Sequence, residues 1–336
     1  MTTMIENLQR LAAIWGPSGR EHKIAQALQE MIGPHVDEVR TDKFGNLIAL
    51  KRGSGKGRLM LTAHMDTVGA MALNVSDKGM IYLAPVGNFK AHHAIGQRVL
   101  WGSGTTGVLQ HEPVAEGKDI DFKKLWCDIG AANKEEALQR VRLGDMCVLV
   151  GEVSQMGDFM VGPAMDDRAG CAVLLEVASR MGKVEHDVAF VFTAQGEIGP
   201  RGAGPAAFGL DPEFAVVVDV TTAGDYAGAP RVDVKLGKGP ALKLKDGAYM
   251  AHGGMADWVF QTAAGHNLPM QREIATAATE HNDAQVVSVA GQGIATAVLD
   301  IPSRYRSTAG EMVHTADLTA AAELLLKLVA NPPELG

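Results

Sequence analysis

Along this chain short apolar runs alternate with segments of helical period. Four of the runs lead into a polar side chain able to bind a cation. Residues 58–63 run into His64-Met65-Asp66, and residues 158–165 run into Asp166-Asp167-Arg168. Residues 188–195 lead to Glu197, and residues 213–218 end at Asp219. Runs rich in β-branched and aromatic residues, each followed by a helix-like segment, predict buried parallel strands. Open α/β sheets bind ligands beyond the carboxyl ends of their strands. One imidazole and three carboxylates gathered there predict a site for one or two divalent metals, and so metal-dependent hydrolysis.

Around these runs the pattern predicts an interrupted architecture. Residues 3–32 read as two helices broken at Gly16-Pro17-Ser18-Gly19, followed by strands over 36–41 and 46–51. Gly53-Ser54-Gly55-Lys56-Gly57 lacks the Ser/Thr and spacing of a phosphate loop and reads as a turn. From Gly69 to about Met160, short alternating stretches between Gly, Asn, Asp and Pro predict a small β-rich unit, with a helix at 134–141 and a strand at 145–151. The βα alternation then returns: helix 168–181, strand 188–194, a short helix after Gly199 and strand 215–220. Helices at 256–264, 284–290 and 316–329 and a strand at 294–301 complete it. The expectation is an α/β unit formed by residues 1–69 plus 161–336, interrupted by a β-rich insertion at 70–160.

Composition narrows the function rather than the fold. At 336 residues the chain exceeds what one core usually organises. It is 46% hydrophobic and 21% charged, with a net charge of -8, which argues against nucleic-acid and anionic-membrane surfaces. No apolar run approaches a bilayer-spanning length, and the first ten residues lack the basic and apolar regions of a signal peptide. A cytoplasmic address is the default expectation. Cys127, Cys147 and Cys171 have no CxxC spacing and read as buried small hydrophobes.

The wording around the four candidate segments is specific. His64-Met-Asp-Thr-Val-Gly69, Ala164-Met-Asp-Asp-Arg-Ala-Gly170, Thr193-Ala-Gln-Gly-Glu-Ile-Gly-Pro-Arg-Gly-Ala203 and Val218-Asp-Val-Thr221 resemble the signature segments of the TET-type metallo-aminopeptidases, which include glutamyl and deblocking enzymes. The resemblance extends through Ser18-Gly-Arg-Glu21, Asp42-Lys-Phe-Gly-Asn-Leu47, Leu268-Pro-Met-Gln271, Asn282-Asp-Ala284, Gln292-Gly-Ile-Ala-Thr296 and Ile301-Pro-Ser-Arg-Tyr305. It implies a zinc-aminopeptidase-like α/β/α core with an inserted β-barrel, and release of N-terminal residues from short peptides or related small amides. Two metals, usually zinc or cobalt, and a homo-oligomer up to a dodecamer built from dimers are implied too. Position by position, it makes His64, Asp166 and Asp219 the ligands of one metal and Asp166 the bridge. Glu197 becomes a ligand of the second metal, and Asp66 the carboxylate that orients His64.

Two positions depart from that pattern. The resemblance places a general base where this chain has Gly196, and a second-metal histidine where it has Ser307. The expectation is therefore one tightly bound ion rather than two, with Arg306 a nearby cation that discourages the second. Loss of a positioned base costs roughly 10²–10⁴ in rate, although a single zinc ion can bring the pKa of its water to about 7. The alternative is a non-catalytic homologue that acts as a metal-binding or assembly subunit. On that alternative, Gly196→Glu together with Ser307→His is expected to restore activity if the surrounding shell is intact. Glu311, His314 and His281 read as surface or capping residues rather than substitutes. His92 and His93 read as strand neighbours pointing to opposite faces.

Overall fold

The computed structural model describes residues 3–55, 57–113, 120–275 and 281–333. Helix α1 (Met4–Ala12) begins at a capping box in which Thr3 and Glu6 satisfy each other's backbone N–H groups. Helix α2 (His22–Ile32) follows the Gly16–Gly19 break, and the chain then pairs β1 (Glu38–Thr41) with β2 (Leu47–Lys51). Strand β3 (Arg58–His64) enters the centre of the fold. The chain leaves it for β4 (Gly69–Val75), β5 (Ile81–Val86), the single turn α3 (Ala91–Ala94), β6 (Arg98–Trp101) and β7 (Thr106–His111). Next come β8 (Leu125–Asp128), α4 (Lys134–Arg140) and β9 (Met146–Leu149). Strands β4 to β9 close into a barrel of order β4-β5-β8-β7-β6-β9. Its interior is filled by Trp101, Leu109, Leu83, Val99 and the thiols of Cys127 and Cys147.

Returning, the chain lays down β10 (Ser154–Met156), β11 (Phe159–Gly162) and the long helix α5 (Met165–Arg180). Then follow β12 (Asp187–Thr193), α6 (Ala203–Leu210), β13 (Phe214–Thr222), β14 (Ala241–Lys245), α7 (Gly253–Gly265) and β15 (Gln271–Ile274). Short α8 (Ala284–Val287), β16 (Ala295–Arg304), β17 (Glu311–His314) and α9 (Thr315–Ala330) end it. The large sheet runs β1-β2-β12-β3-β13-β16-β17-β11-β10, with β14 and β15 branching from β16. Strand alternation decides which face each side chain covers. Leu59, Leu61, Phe190 and Phe192 pack into the core shared with α1, α5 and α9, while Met60, Ala189 and Val191 pack toward α6 and α8.

The mixed α/β architecture with a closed barrel is thus the expected one. Parallel pairing is confirmed for β12, β3 and β13, and β16 also lies parallel to β13, but the strand before Asp166 is not parallel. Strand β11 is antiparallel to both β10 and β17, near one end of the sheet. Because β10 and β11 belong to the large sheet, the barrel strands end at Leu149 rather than near residue 160. Strand β16 also runs through Pro302 to Arg304, three residues beyond its expected end, its last residues pairing with β17. His92 and His93 sit on α3, not on a strand, with their rings edge to face at 4.1 Å.

The core makes one stability prediction. Phe190 is fully buried at the middle of β12, so Phe190→Ala is expected to cost about 3–5 kcal/mol. The shift in urea unfolding at fixed protein concentration measures it.

Candidate metal centre

The parallel register sets Thr193, at the end of β12, beside His64 at the end of β3. The buried carboxylate of Asp283 fastens these two strand ends, accepting hydrogen bonds from the Thr62 and Thr193 hydroxyls at 2.8 Å each. Beyond the strands, buried Asp66 organises the loops. Its Oδ1 accepts the Gly196 N–H at 2.7 Å, and its Oδ2 accepts the Glu197 N–H at 3.1 Å and the Ser18 hydroxyl at 2.5 Å. Glu21 takes the neighbouring Gln195 N–H at 3.0 Å. Three successive backbone donors are therefore held by carboxylates. That arrangement stabilises a loop whose Gln195 has φ +60.

His64 is aimed by the same group. Its Nδ1 lies 3.2 Å from the Asp66 main-chain oxygen and 3.4 Å from Asp66 Oδ1. Two acceptors on that side require the proton on Nδ1 and leave Nε2 facing outward. Nε2 is 3.2 Å from Asp166 Oδ1 and 3.9 Å from Asp219 Oδ1. An imidazole nitrogen set against two carboxylate oxygens needs positive charge there, either its own second proton or a bound cation. Burial opposes charging His64, but hydrogen bonds and charge from Asp166 and Asp66 outweigh it and hold its pKa well above the usual value. Burial pushes the Asp219 carboxyl up to about 7. It also pushes Glu197 well above the carboxylate range, assisted by the charge of Asp166. A divalent ion would relieve both, displacing the proton from His64. These residues therefore fit one ion.

Asp166 departs from helical geometry at the start of α5, with φ -82 and ψ 109, and its peptide with Asp167 is cis. Its Oδ2 receives Arg306 Nε at 2.8 Å and lies 2.7 Å from Arg306 Nη2. Burial works to raise the Asp166 pKa, yet Arg306 and His64 bring it well below the ordinary range. Two tight groupings of donor atoms occur among the described residues, each within 4.8 Å: His64, Asp166 and Glu197, and His64, Asp167 and Asp219. Asp167 carries no separate signal in the sequence beside Asp166. Both of its oxygens are already engaged, by the His64 N–H at 3.2 Å and the Gly170 N–H at 2.9 Å. It pins the strand to the helix.

Glu311 is the clearest correction. Expected at the surface or as a cap, it is 2% exposed. It accepts the Asp166 N–H at 2.9 Å on one oxygen and the Ser307 N–H at 2.6 Å on the other. Burial, and then the nearby charge of Asp166, push it up to about 8. His314 does cap, its Nδ1 accepting the Ala316 N–H at 3.1 Å. His93 and His281 both line a cavity of about 880 Å³ above the centre, together with His64, Glu197, Arg306 and Lys90. Neither histidine was expected there. Tyr305 and Ser307, flanking Arg306, have φ +62 and +60, backbone that costs of order 1–3 kcal/mol per residue and persists only where its surroundings dictate it.

The structure also revises the idea of restoring a glutamate at 196. A Cβ added to Gly196 would lie 2.5 Å from His64 Cβ and 2.6 Å from its Cγ. Any side chain there requires His64 to move. Gly196→Ala is accordingly expected to weaken divalent-ion binding by about 10–100-fold, as does disturbing the groups that orient a metal-binding histidine. Calorimetric titration of folded protein checks this, and unchanged affinity would show that His64 has room to shift.

Comparison with known proteins agrees with this architecture. The family model described as M42 glutamyl aminopeptidase matches residues 45–324. A protein of Acetivibrio thermocellus is 37% identical over 327 residues, covering 97% of this chain and 98% of its own. A lysyl aminopeptidase of Pyrococcus furiosus is 30% identical over 337 residues, with 96% of each chain covered. Among solved structures, an aminopeptidase from Desulfurococcus kamchatkensis superposes with a TM-score of 0.94 at 31% identity, covering 98% of this chain and 95% of its own. A TET1 peptidase of Pyrococcus horikoshii, which assembles into a tetrahedron or a large octahedral shell, gives 0.88 at 28% identity, with 98% and 100% covered. Over residues 45–324, from just before β2 into the terminal helix, this chain belongs to the M42 glutamyl aminopeptidase family.

Proposed function

We propose that the chain is a metal-dependent aminopeptidase-type hydrolase that works with one divalent ion, zinc or cobalt, held by His64, Asp166 and Asp219. The observation that carries this is His64 Nε2 facing Asp166 and Asp219 at the foot of the cavity, with Asp66 behind the ring. Nitrogen and oxygen donors of this kind suit zinc and cobalt. Such an ion supplies Lewis acidity toward a scissile carbonyl and a lowered pKa for water. The substrate reading, the N-terminal residue of short peptides, rests on the family and on the names of the relatives.

The chain's own groups divide the remaining work. Asp66 fixes the ring angle and tautomer of His64, and Asp283 and Glu311 hold the strand ends and the Asp166 peptide in place. Glu197 is the carboxyl group among the cavity's described lining residues, so it is the group positioned to pass a proton to a departing amine. It lies one residue past the absent base at Gly196 and does not replace that group in activating water. The rate is therefore expected to fall roughly 10²–10⁴ below that of a site with a positioned base.

A second reading, a non-catalytic binding or assembly subunit, is favoured by one observation: the Gly196 backbone lies so close to His64 that a base at that position fits only if His64 moves. A panel of aminoacyl-nitroanilides assayed with zinc, cobalt and manganese separates the two. Slow turnover that is abolished by a chelator and by His64→Ala is the expected result. Stoichiometric ion binding without turnover of any substrate would favour the second reading.

The same reading makes the protein a cytoplasmic homo-oligomer assembled from dimers, up to a dodecamer. Among the described residues no helix is long and apolar enough to cross a membrane. Light scattering is expected to give a mass several times that of one chain, and a monomer at micromolar concentration would count against assembly.

A further inference from the structure

The guanidinium of Arg306 has a more definite place than a neighbouring charge would. Its Nε and Nη2 both approach Asp166 Oδ2, at 2.8 and 2.7 Å. The other oxygen, Oδ1, faces His64 Nε2. The carboxylate is thus shared between two cationic positions, one beside His64 and Asp219 and the other filled by the protein itself.

This placement is built in. Glu311 holds the Ser307 N–H with one oxygen and the Asp166 N–H with the other, both bonds buried. One rigid carboxylate therefore fixes the loop that carries Arg306 relative to the backbone that carries Asp166. Left-handed residues on both sides of Arg306 set the loop's path. The side chain is 26% exposed, reaching its partner from the cavity wall. Arg306 acts on Glu197 and Asp219 as well as on Asp166, opposing the ionisation cost that burial imposes on each.

Charge balance gives the functional meaning. Asp166, Asp219 and Glu197, when ionised, carry three negative charges. One divalent ion together with one guanidinium neutralises them. A second divalent ion beside the guanidinium would leave the pocket with two positive charges in excess and would have to displace both contacts to Asp166 Oδ2.

We propose that Arg306 is this chain's resident second cation, occupying the outer oxygen of Asp166 so that the centre takes a single divalent ion. The proposal rests on the one-ion reading of His64, Asp166 and Asp219. Removing the guanidinium opens a second position between Asp166 and Glu197.

Manganese titration followed by calorimetry and electron paramagnetic resonance tests this without reference to turnover. The intact protein is expected to bind one Mn²⁺ per chain with an isolated-ion spectrum. Arg306→Ala is expected to bind two, with the spectrum of a spin-coupled pair. Arg306→Gln, which keeps much of the length and loses the charge, gives the same count should the alanine variant be unstable. Arg306→Lys, retaining a cation, is expected to stay at one. Two ions with coupled spins in the intact protein would overturn the proposal. So would folded Ala and Gln variants that remain at one ion. Binding of no ion by the intact protein would instead remove the one-ion reading underneath it, a failure distinguishable from the others.

Discussion

The carboxylate of Asp66 is fully enclosed and accepts hydrogen bonds from two consecutive backbone N–H groups of one loop and from a serine hydroxyl of another, while facing the ring of His64. Hydrogen bonds to a buried charge are the strong ones, and each donor left without its acceptor would carry a desolvation cost. The strand ends, the 195–197 loop and the break between the first two helices are therefore mutually dependent. None can shift without unpairing a buried charge. This stiffness aims the imidazole.

Around that anchor lies a crowd of buried acids: Asp166, Asp167, Asp219, Asp283 and Glu311. A protein interior does not tolerate such density unless each group is hydrogen-bonded or matched by positive charge. Three solutions appear side by side. Asp167, Asp283 and Glu311 are satisfied by backbone N–H groups or hydroxyls. Asp166 is matched by Arg306. Asp219 takes one backbone N–H, from Val220, and otherwise stands against His64. That residual deficit of positive charge is the physical signature of a cation site, and it needs no motif to be seen.

How much of this was legible in the sequence depended on the range of the contacts. His64, Asp66, Glu197 and Asp219 could be located because a strand's end and its next residues are local features. The family resemblance then supplied their roles. Asp167 went unnoticed and Glu311 was misplaced at the surface because their tasks are defined by partners far along the chain: Glu311 by Asp166, and Asp167 by the backbone of His64. The direction of β11 was misread for a related reason. A short apolar run does not encode its neighbour, and its partner β17 lies some 150 residues later. The closeness of Gly196 to His64 was illegible too, since it reflects how two loops approach rather than what either contains.

The cavity has a wall and a floor of different origin. Its floor is set by His64 at the end of β3 and by Gly196 and Glu197 beyond β12, whereas Asn88, Lys90 and His93 on its wall come from the barrel segment. His93 reaches the Ser307 backbone beside Arg306, whereas Asn88 and Lys90 stand on the wall above the hydrogen bonds that hold the charged centre. Exchange of side chains at 88 and 90 can therefore reshape what the cavity admits while the balance of charge below stays as it is. The shape of the opening and the charged floor are thus set largely by two different stretches of chain.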